Sequence, residues 1–280
     1  MKSLLKTALV CLAATTLPAA ATPLEVDVEL LLAVDVSRSM SEAELELQRR
    51  GYAAALRSPA VIEAIENGMI GQVAVSYVEW AGADAQTVVI DWMLINDSAS
   101  AERFAAQLTG IPTPPSRRTS ISGVLEHARV AINSNAYEGL RKVIDISGDG
   151  PNNEGAPVIA ARDRTVADGI AINGLPLLTQ EDETMPWTLV DLENYYRQCV
   201  IGGPASFVIA VESWDAFAEA VRRKLVLELV GLTPEDLMLG QEKIWRASAK
   251  PKVDCGRGST QRNVGNPFSY AVPTELTAPY

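Results

Sequence analysis

Histidine, cysteine and long apolar runs are the scarcest features of this 280-residue sequence. The single histidine, His127, lies off the apolar stripe of its predicted helix, and we expect it at the surface. One histidine gives little basis for a Ser-His-Asp triad or for a metal site that needs two imidazoles. After the amino terminus, no stretch approaches the roughly 20 consecutive apolar residues that cross a bilayer. We therefore expect no transmembrane segment.

Basic residues are outnumbered by acidic ones. Lys and Arg total 24 against 35 Asp and Glu, which gives a formal net charge of −11. Because nucleic acids and anionic membranes attract positive surfaces, an acidic chain disfavours both as partners. The hydrophobic fraction of 48% is, by contrast, ample for a buried core. The composition indicates a globular protein that does not bind nucleic acid.

The amino terminus has the pattern of a secretory signal peptide. Lys2 and Lys6 precede a short apolar stretch, residues 8–14, and alanines at positions 19–21 provide a plausible cleavage site. The apolar stretch is too short to span a membrane. We expect residues 1–21 to be removed and the mature protein to be periplasmic or secreted.

Export decides how the three cysteines are interpreted. Cys11 lies within the predicted signal peptide, where lipid attachment is an alternative, although Val10 before it is a poor match to the small residue expected there. Cys199 and Cys255 would meet an oxidising compartment, and we expect them to form a disulfide. Metal binding by these two cysteines is the weaker interpretation.

Strand and helix patterns alternate from about residue 24 to residue 229. The run at residues 30–34 is apolar without alternation, which is typical of a parallel strand covered on both faces. Only six residues separate the second and third strands, so these two should form an antiparallel hairpin. We predict an α/β fold, a doubly wound Rossmann-like three-layer sandwich with a mostly parallel six-stranded sheet and one antiparallel edge strand. The domain would occupy residues 22–229, and residues 230–280 would form a tail or extension. The predicted strands are residues 24–35, 72–80, 87–95, 142–146, 170–177 and 206–211.

Oxygen-bearing side chains follow several of these strands at the same edge of the sheet. When the chain is traced up and down through the predicted elements, three separate segments arrive at the carboxyl end of the first strand. None of the converging groups is His or Cys, so they suit Mg²⁺, Mn²⁺ or Ca²⁺ and exclude a typical zinc site. The candidate metal ligands are Asp35, Ser37, Ser39, Thr119 and Asp149.

This ligand set resembles the metal-ion-dependent adhesion site of the von Willebrand factor type A domain. The resemblance covers residues 24–229 and is nearest to exported bacterial A-domain proteins of unassigned function. It implies that Ser37, Ser39 and Thr119 touch the cation, while Asp35 and Asp149 act mainly through water. It also implies that an Asp or Glu carboxylate from a protein partner completes the coordination shell. The expected function is adhesion or assembly, without catalysis.

Two alternatives from other functional classes stay open. The run from Gly148 to Asn152 resembles a metal-binding motif of haloacid-dehalogenase-type phosphatases, which would make the protein a magnesium-dependent hydrolase. Those enzymes carry an acid/base Asp two residues after the nucleophilic Asp, and Ser37 occupies that position after Asp35. The other alternative is a structural subunit that retains an unused metal site.

The rim around the candidate site carries positive charge in an acidic protein. We expect Arg38, Arg117 and Arg118 to lie there, either steering an acidic partner toward the metal or simply solvated. Trp80, in the hairpin turn near the same rim, is a candidate partner contact or a half-buried core residue. Within the strand before Asp149, Asp145 should be hydrogen-bonded, because a buried carboxylate without a partner is costly.

Overall fold

Five strands form the central sheet of the computed structural model, which describes residues 22–110, 114–179, 189–236 and 253–256. The order across the sheet is β3-β2-β1-β4-β5, with β3 antiparallel to β2 and all other neighbours parallel. The mostly parallel sheet with an antiparallel edge strand is therefore confirmed. The strands are β1 (Leu24–Asp35), β2 (Val73–Trp80), β3 (Gln86–Ile95), β4 (Tyr137–Gly148) and β5 (Ile170–Pro176).

The predicted sixth strand, at residues 206–211, is corrected to an irregular segment. Val208 and Val211 make isolated parallel bridges to β5 and its extension, but no continuous ladder forms. One physical reason is that the Asn173 side chain accepts the N–H of Phe207 at 3.0 Å, so a side chain takes a position that a strand backbone would occupy. The chain covers the β5 edge without extending the sheet as a full strand.

Helices connect the strands, and polar side chains cap the amino-terminal ends of several of them. Ser41 and Glu44 form a capping box at the start of the first helix, and Ser58 caps the second, which has Pro59 in its first turn. A short π-helical turn, Tyr196–Val200, follows the sixth helix. The helices are α1 (Glu42–Leu56), α2 (Pro59–Glu66), α3 (Ser98–Gln107), α4 (Ile121–Asn133), α5 (Val158–Ala167), α6 (Leu189–Tyr195) and α7 (Trp214–Val230).

The sheet separates two hydrophobic cores. Along β1, Leu30 and Leu32 pack with α1, α2, α3 and α7, whereas Leu31 and Ala33 pack with α4, α5, α6 and the π-helical turn. Every side chain from residue 26 to residue 37 is buried, because successive residues of a strand point to opposite faces and both faces are covered. This arrangement is the predicted three-layer sandwich.

The segments that flank the predicted domain lie largely outside the described residues. The predicted signal peptide, residues 1–21, and most of the predicted tail, residues 237–252 and 257–280, belong to the undescribed part of the chain. A disulfide joins Cys199 of the π-helical turn to Cys255, with 5.6 Å between the two Cα atoms. Among the described residues, no helix is long and apolar enough to cross a membrane.

Candidate metal centre

The loop after β1 presents the first three candidate ligands in a fixed arrangement. Asp35 Oδ1 accepts the backbone N–H of Ser37 at 2.7 Å, and the hydroxyls of Ser37 and Ser39 are 3.0 Å apart. The Gln48 side chain of α1 donates to the Asp35 carbonyl at 3.1 Å, which anchors the loop from below. Asp35 and Ser37 are buried, whereas Ser39 is exposed. The loop therefore directs a row of oxygen atoms from the interior toward the surface.

The fourth candidate ligand, Thr119, is tied to the loop after β4. Its N–H donates to the Asn153 side chain at 2.9 Å, and its carbonyl accepts the Asn153 N–H at 2.8 Å. A Cβ placed on Gly150 would lie 3.9 Å from Thr119 Oγ1, so the residue after Asp149 passes beside this hydroxyl. The segment before α4 and the segment after β4 are thus joined at the carboxyl edge of the sheet.

Asp35 and Asp149 lie close enough for their charges to interact. Complete burial and the negative charge of Asp149 raise the pKa of Asp35 well above its usual range, although hydrogen bonds from Ser37 and from the Asp149 backbone oppose the shift. Asp35 Oδ2 is buried and has no hydrogen-bond partner among the described residues. A buried carboxylate without compensation for one oxygen and with a second carboxylate nearby is costly. A cation between the two residues would remove this cost.

The donor set suits a hard divalent cation. It contains two carboxylates and three hydroxyls, and within the described ranges no group of three or more His, Cys, Asp or Glu side chains forms a candidate metal site. Hydroxyl, carboxylate and water oxygens are the ligands that Mg²⁺ accepts, usually with several waters retained. The residues present therefore fit a cation of the magnesium type better than a site that requires thiolates or imidazoles.

The location of these residues follows from the strand order. In the sheet, β1 lies between β2 and β4. The chain leads from β1 to β2 in one direction and from β4 to β5 in the other, so the two connections diverge at the carboxyl ends of β1 and β4. Open α/β sheets leave a crevice at such a point. Asp35 is the last residue of β1 and Asp149 directly follows β4, the two strands that border this crevice.

The four residues of the predicted rim differ in their exposure. Arg38, Arg117 and Arg118 are exposed, as expected of residues that could meet a partner. Trp80 is fully buried in the core beneath α4, so the interpretation of Trp80 as a partner contact is wrong and it is a core residue. Its position at the end of β2, paired with Asp35 of β1, explains the burial, because both faces of the sheet are covered there.

Two other residues singled out in the sequence, His127 and Asp145, are at least partly buried. His127 is half-buried rather than at the surface, and desolvation lowers its pKa. It lines a groove of about 910 Å³ between β3 and α4, away from the residues that follow β1. Asp145 is buried as expected, and its partner is the Lys224 ammonium group of α7.

Several supporting residues of the candidate site were not predicted. Asn152 accepts the N–H of Ser122 at 2.9 Å and donates to the Ala156 carbonyl at 3.2 Å, which fixes the loop after β4. The Tyr195 hydroxyl accepts the Asn152 N–H at 3.2 Å. The adjacent asparagines after Asp149 were a usable signal in the sequence, since they are typical of structured turns. The tyrosines of α6 and the π-helical turn lie more than forty residues away and carried no such signal.

The sequence matches one protein-family model over residues 25–233, and the model is described as "Protein of unknown function (DUF1194)". The chain belongs to the DUF1194 family. No curated protein matches its sequence at a significant level.

The fold of this DUF1194 chain is that of a von Willebrand factor type A domain. It is similar to the pilus adhesin SpaC from Lactobacillus rhamnosus GG, with a TM-score of 0.53, 12% identity, and coverage of 75% of this chain and 30% of SpaC. A von Willebrand factor type A protein from Catenulispora acidiphila gives a TM-score of 0.51 at 14% identity, over 74% of this chain and 43% of that one.

A third similar structure contains an occupied metal site. It is proximal thread matrix protein 1 of the mussel byssus with a zinc-occupied MIDAS motif, with a TM-score of 0.50, 16% identity, and coverage of 75% of this chain and 47% of that protein. This DUF1194 chain spans less than half the length of each of these three proteins. At such low identities the similarity establishes the fold alone.

Proposed function

We propose that the domain is an exported protein-binding module that recognises a carboxylate of its partner through a bound divalent cation. The observation that carries the proposal is the buried Asp35 carboxylate, which has one oxygen without a hydrogen-bond partner among the described residues and the charge of Asp149 beside it. In this proposal Ser37, Ser39 and Thr119 contact the cation directly, and the two aspartates hold it mainly through water. When bound, Mg²⁺ supplies a Lewis-acidic contact for an anionic group.

The partner's side of the contact follows from charge and exposure. Ser39 is exposed and the other ligands lie deeper, so an incoming group would approach the cation from the Ser39 side. Arg38, Arg117 and Arg118 are exposed and present positive charge to the same partner. An Asp or Glu side chain satisfies both the cation and these guanidinium groups.

The geometry favours binding over phosphate hydrolysis. A nucleophilic aspartate must reach a phosphorus atom, but Asp35 is fully buried and one of its oxygens is engaged by the Ser37 N–H. Ser37 stands where the hydrolase motif requires an acid/base carboxylate, and a hydroxyl cannot perform that proton transfer at neutral pH. Hydrolysis of a phosphate-ester substrate that depends on Mg²⁺ and is lost in Ser37→Ala would contradict the binding assignment.

Export is supported by the disulfide and by the sequence of the amino terminus. Disulfides persist in oxidising compartments, and Cys199 is paired with Cys255. Lys2 and Lys6 followed by a short apolar stretch match a secretory signal. Fractionation of cells that produce the full-length chain, with mass spectrometry of the mature amino terminus, tests this part. An uncleaved cytosolic product would contradict it.

A metal titration tests the proposed site directly. Mn²⁺ replaces Mg²⁺ and reports binding by electron paramagnetic resonance. We expect saturable binding to the wild type and weaker binding to Ser39→Ala, because Ser39 is exposed and its loss should leave the fold intact. Ser98→Ala removes an equally exposed serine at the start of α3 and should bind as the wild type does. Equal affinity in all three proteins would contradict the proposed ligand set.

A further inference from the structure

Tyr196 belongs to the π-helical turn, and its side chain extends over β5 toward the candidate metal centre. Its side chain is fully buried and its hydroxyl has no hydrogen-bond partner among the described residues. Two glycines make room for it. A Cβ on Gly174 of β5 would come within 2.7 Å of the Tyr196 ring, and a Cβ on Gly148 of β4 would come within 2.8 Å of the hydroxyl oxygen. The side chain therefore lies over β5 and its hydroxyl ends beside Gly148, the last residue of β4.

The group that Tyr196 reaches is the Asp35 carboxylate. The same Cβ position on Gly148 lies 2.9 Å from Asp35 Oδ2. The distance between Asp35 Oδ2 and the Tyr196 hydroxyl oxygen is therefore at most the sum of their distances from this position, 2.9 Å and 2.8 Å. One water molecule can bridge such a gap. Both atoms are buried, and both lack a hydrogen-bond partner in the described part of the chain. One is an acceptor and the other can donate.

We propose that Tyr196 is a positioning residue of the metal centre, whose hydroxyl donates to Asp35 Oδ2 directly or through one water. The inference rests on the proposed function, since it assigns Tyr196 to the same site. Asp35 Oδ1 is oriented by the Ser37 N–H, and a donor at Oδ2 would fix the second oxygen. A carboxylate fixed at both oxygens loses less freedom when it accepts a cation and its waters.

The neighbouring residue supports the assignment of this turn to the site. The Tyr195 hydroxyl accepts the N–H of Asn152, in the loop that follows Asp149. Consecutive tyrosines, at the junction of α6 and the π-helical turn, thus reach the two aspartate-bearing segments of the site. The π-helical geometry at Tyr196–Val200 is uncommon, and such turns occur frequently at functional sites.

The test is a Mn²⁺ titration of Tyr196→Phe, which keeps the ring between the glycines and removes only the hydroxyl. Outer partners of metal ligands typically contribute about 10- to 100-fold to affinity, and we expect a loss in that range. Tyr77→Phe is the matched control, because the Tyr77 hydroxyl is also buried without a hydrogen-bond partner in the described residues, but it lies in the other core. It should bind Mn²⁺ as the wild type does.

A second readout separates positioning from a structural role. The metal-free Tyr196→Phe protein should still unfold cooperatively near the wild-type melting temperature, because it loses at most the one hydrogen bond to Asp35. The ultraviolet difference spectrum of tyrosine on Mg²⁺ addition should shrink in Tyr196→Phe and persist in Tyr77→Phe. Binding by Tyr196→Phe within about twofold of a metal-binding wild type would overturn this inference alone. Absence of Mn²⁺ binding in the wild type would instead overturn the proposed function, and this inference with it.

Discussion

Lys224 of α7 forms an ion pair with Asp145 of β4 in the interior of the protein, with 2.7 Å between Nζ and Oδ1. The ammonium group also pairs with Glu228, one turn later on the same helix, and Asn173 of β5 donates to the Glu228 carboxylate at 2.9 Å. These charged side chains are buried almost completely. Since one ammonium group faces two carboxylates, the cluster has an excess negative charge that must be neutralised by a proton or accommodated at a cost.

The first prediction concerns the pH dependence of stability. Burial, then the charge of Asp145, raises the pKa of Glu228 from an ordinary value of 4.5 to about 7. A carboxyl whose pKa is higher in the folded state stabilises the fold at low pH, and that contribution is lost as pH rises through about 7. The wild type should therefore lose on the order of 2–3 kcal/mol between pH 5 and pH 8 relative to Glu228→Gln. Burial raises the pKa of Asp145 as well, although Lys224 opposes the shift, so Asp145 acts in the same direction.

Urea unfolding at pH 5 and pH 8 measures this difference. Glu219→Gln is the control, because Glu219 is exposed on the same helix and Arg222 lowers its pKa. Its titration therefore lies below this pH interval. Parallel pH profiles for the wild type and Glu228→Gln would show that Glu228 does not titrate as described.

The second prediction is that neutralising Asp35 stabilises the metal-free protein and weakens its binding of metal. Burial and the charge of Asp149 raise the Asp35 pKa, so the ionised carboxylate is unfavourable in the metal-free protein. Asp35→Asn preserves an oxygen for the Ser37 N–H and removes the charge. We expect a higher metal-free melting temperature at pH 7.5, and Mn²⁺ affinity reduced by at least about 10-fold. Calorimetry without and with Mn²⁺ checks both, and a variant that is less stable yet binds normally would contradict the account.

The third prediction concerns the disulfide. Cys199 and Cys255 are 56 residues apart in sequence, so their link closes a long loop in the unfolded chain. Replacing both by serine should cost about 2–4 kcal/mol of stability. Because Cys199 lies in the same π-helical turn as Tyr196, the double variant should also bind Mn²⁺ more weakly than the wild type. Denaturant unfolding and the Mn²⁺ titration measure the two effects. An unchanged stability would mean that the link adds nothing to the fold.

The fourth prediction tests the positive rim. Arg117 and Arg118 are exposed beside the site, and their replacement by serine should slow partner association at low ionic strength. At physiological ionic strength and above, charges more than about 8–10 Å apart are screened. The difference in association rate between the wild type and this double variant should therefore shrink there. Arg222→Ser with Arg223→Ser removes the same charge from α7 and should leave the rate unchanged. Surface plasmon resonance across a salt series gives the rates, and equal rates for both double variants would remove the steering role.

Local patterns predicted most of the fold because they are strong in this chain. The apolar run of β1 and the capping box at Ser41 each indicate one structure, and the connection between β2 and β3 is too short for a crossover. The order of these elements alone predicts that Asp35 and Asp149 lie at the same edge of the sheet. The prediction of a sixth strand is wrong because the Asn173 side chain accepts the Phe207 N–H. Periodicity in the sequence does not show such a tertiary contact.

The sequence did not predict the residues whose contacts depend on how the helices pack against the sheet. Because Trp80 ends a strand, the sequence leaves a partner contact and a half-buried core position both open, and the structure buries it fully beside α4. Tyr196 reaches Gly148 only because Gly174 lacks a side chain, and nothing local links these three positions. Lys224 likewise lies within a helical pattern, and nothing in that pattern indicates its ion pair with Asp145. Such relationships require the fold before they can be recognised.

The most direct measurement is capture of partners by the immobilised domain from the exported protein fraction. The wild type and Asp35→Asn are each tested with Mg²⁺ and with EDTA, and one arm uses a fraction whose carboxylates have been converted to amides. We predict a set of proteins retained only by the wild type, only with Mg²⁺, and only when their carboxylates are intact. The same proteins retained in all of these conditions would contradict recognition of a carboxylate through a bound cation.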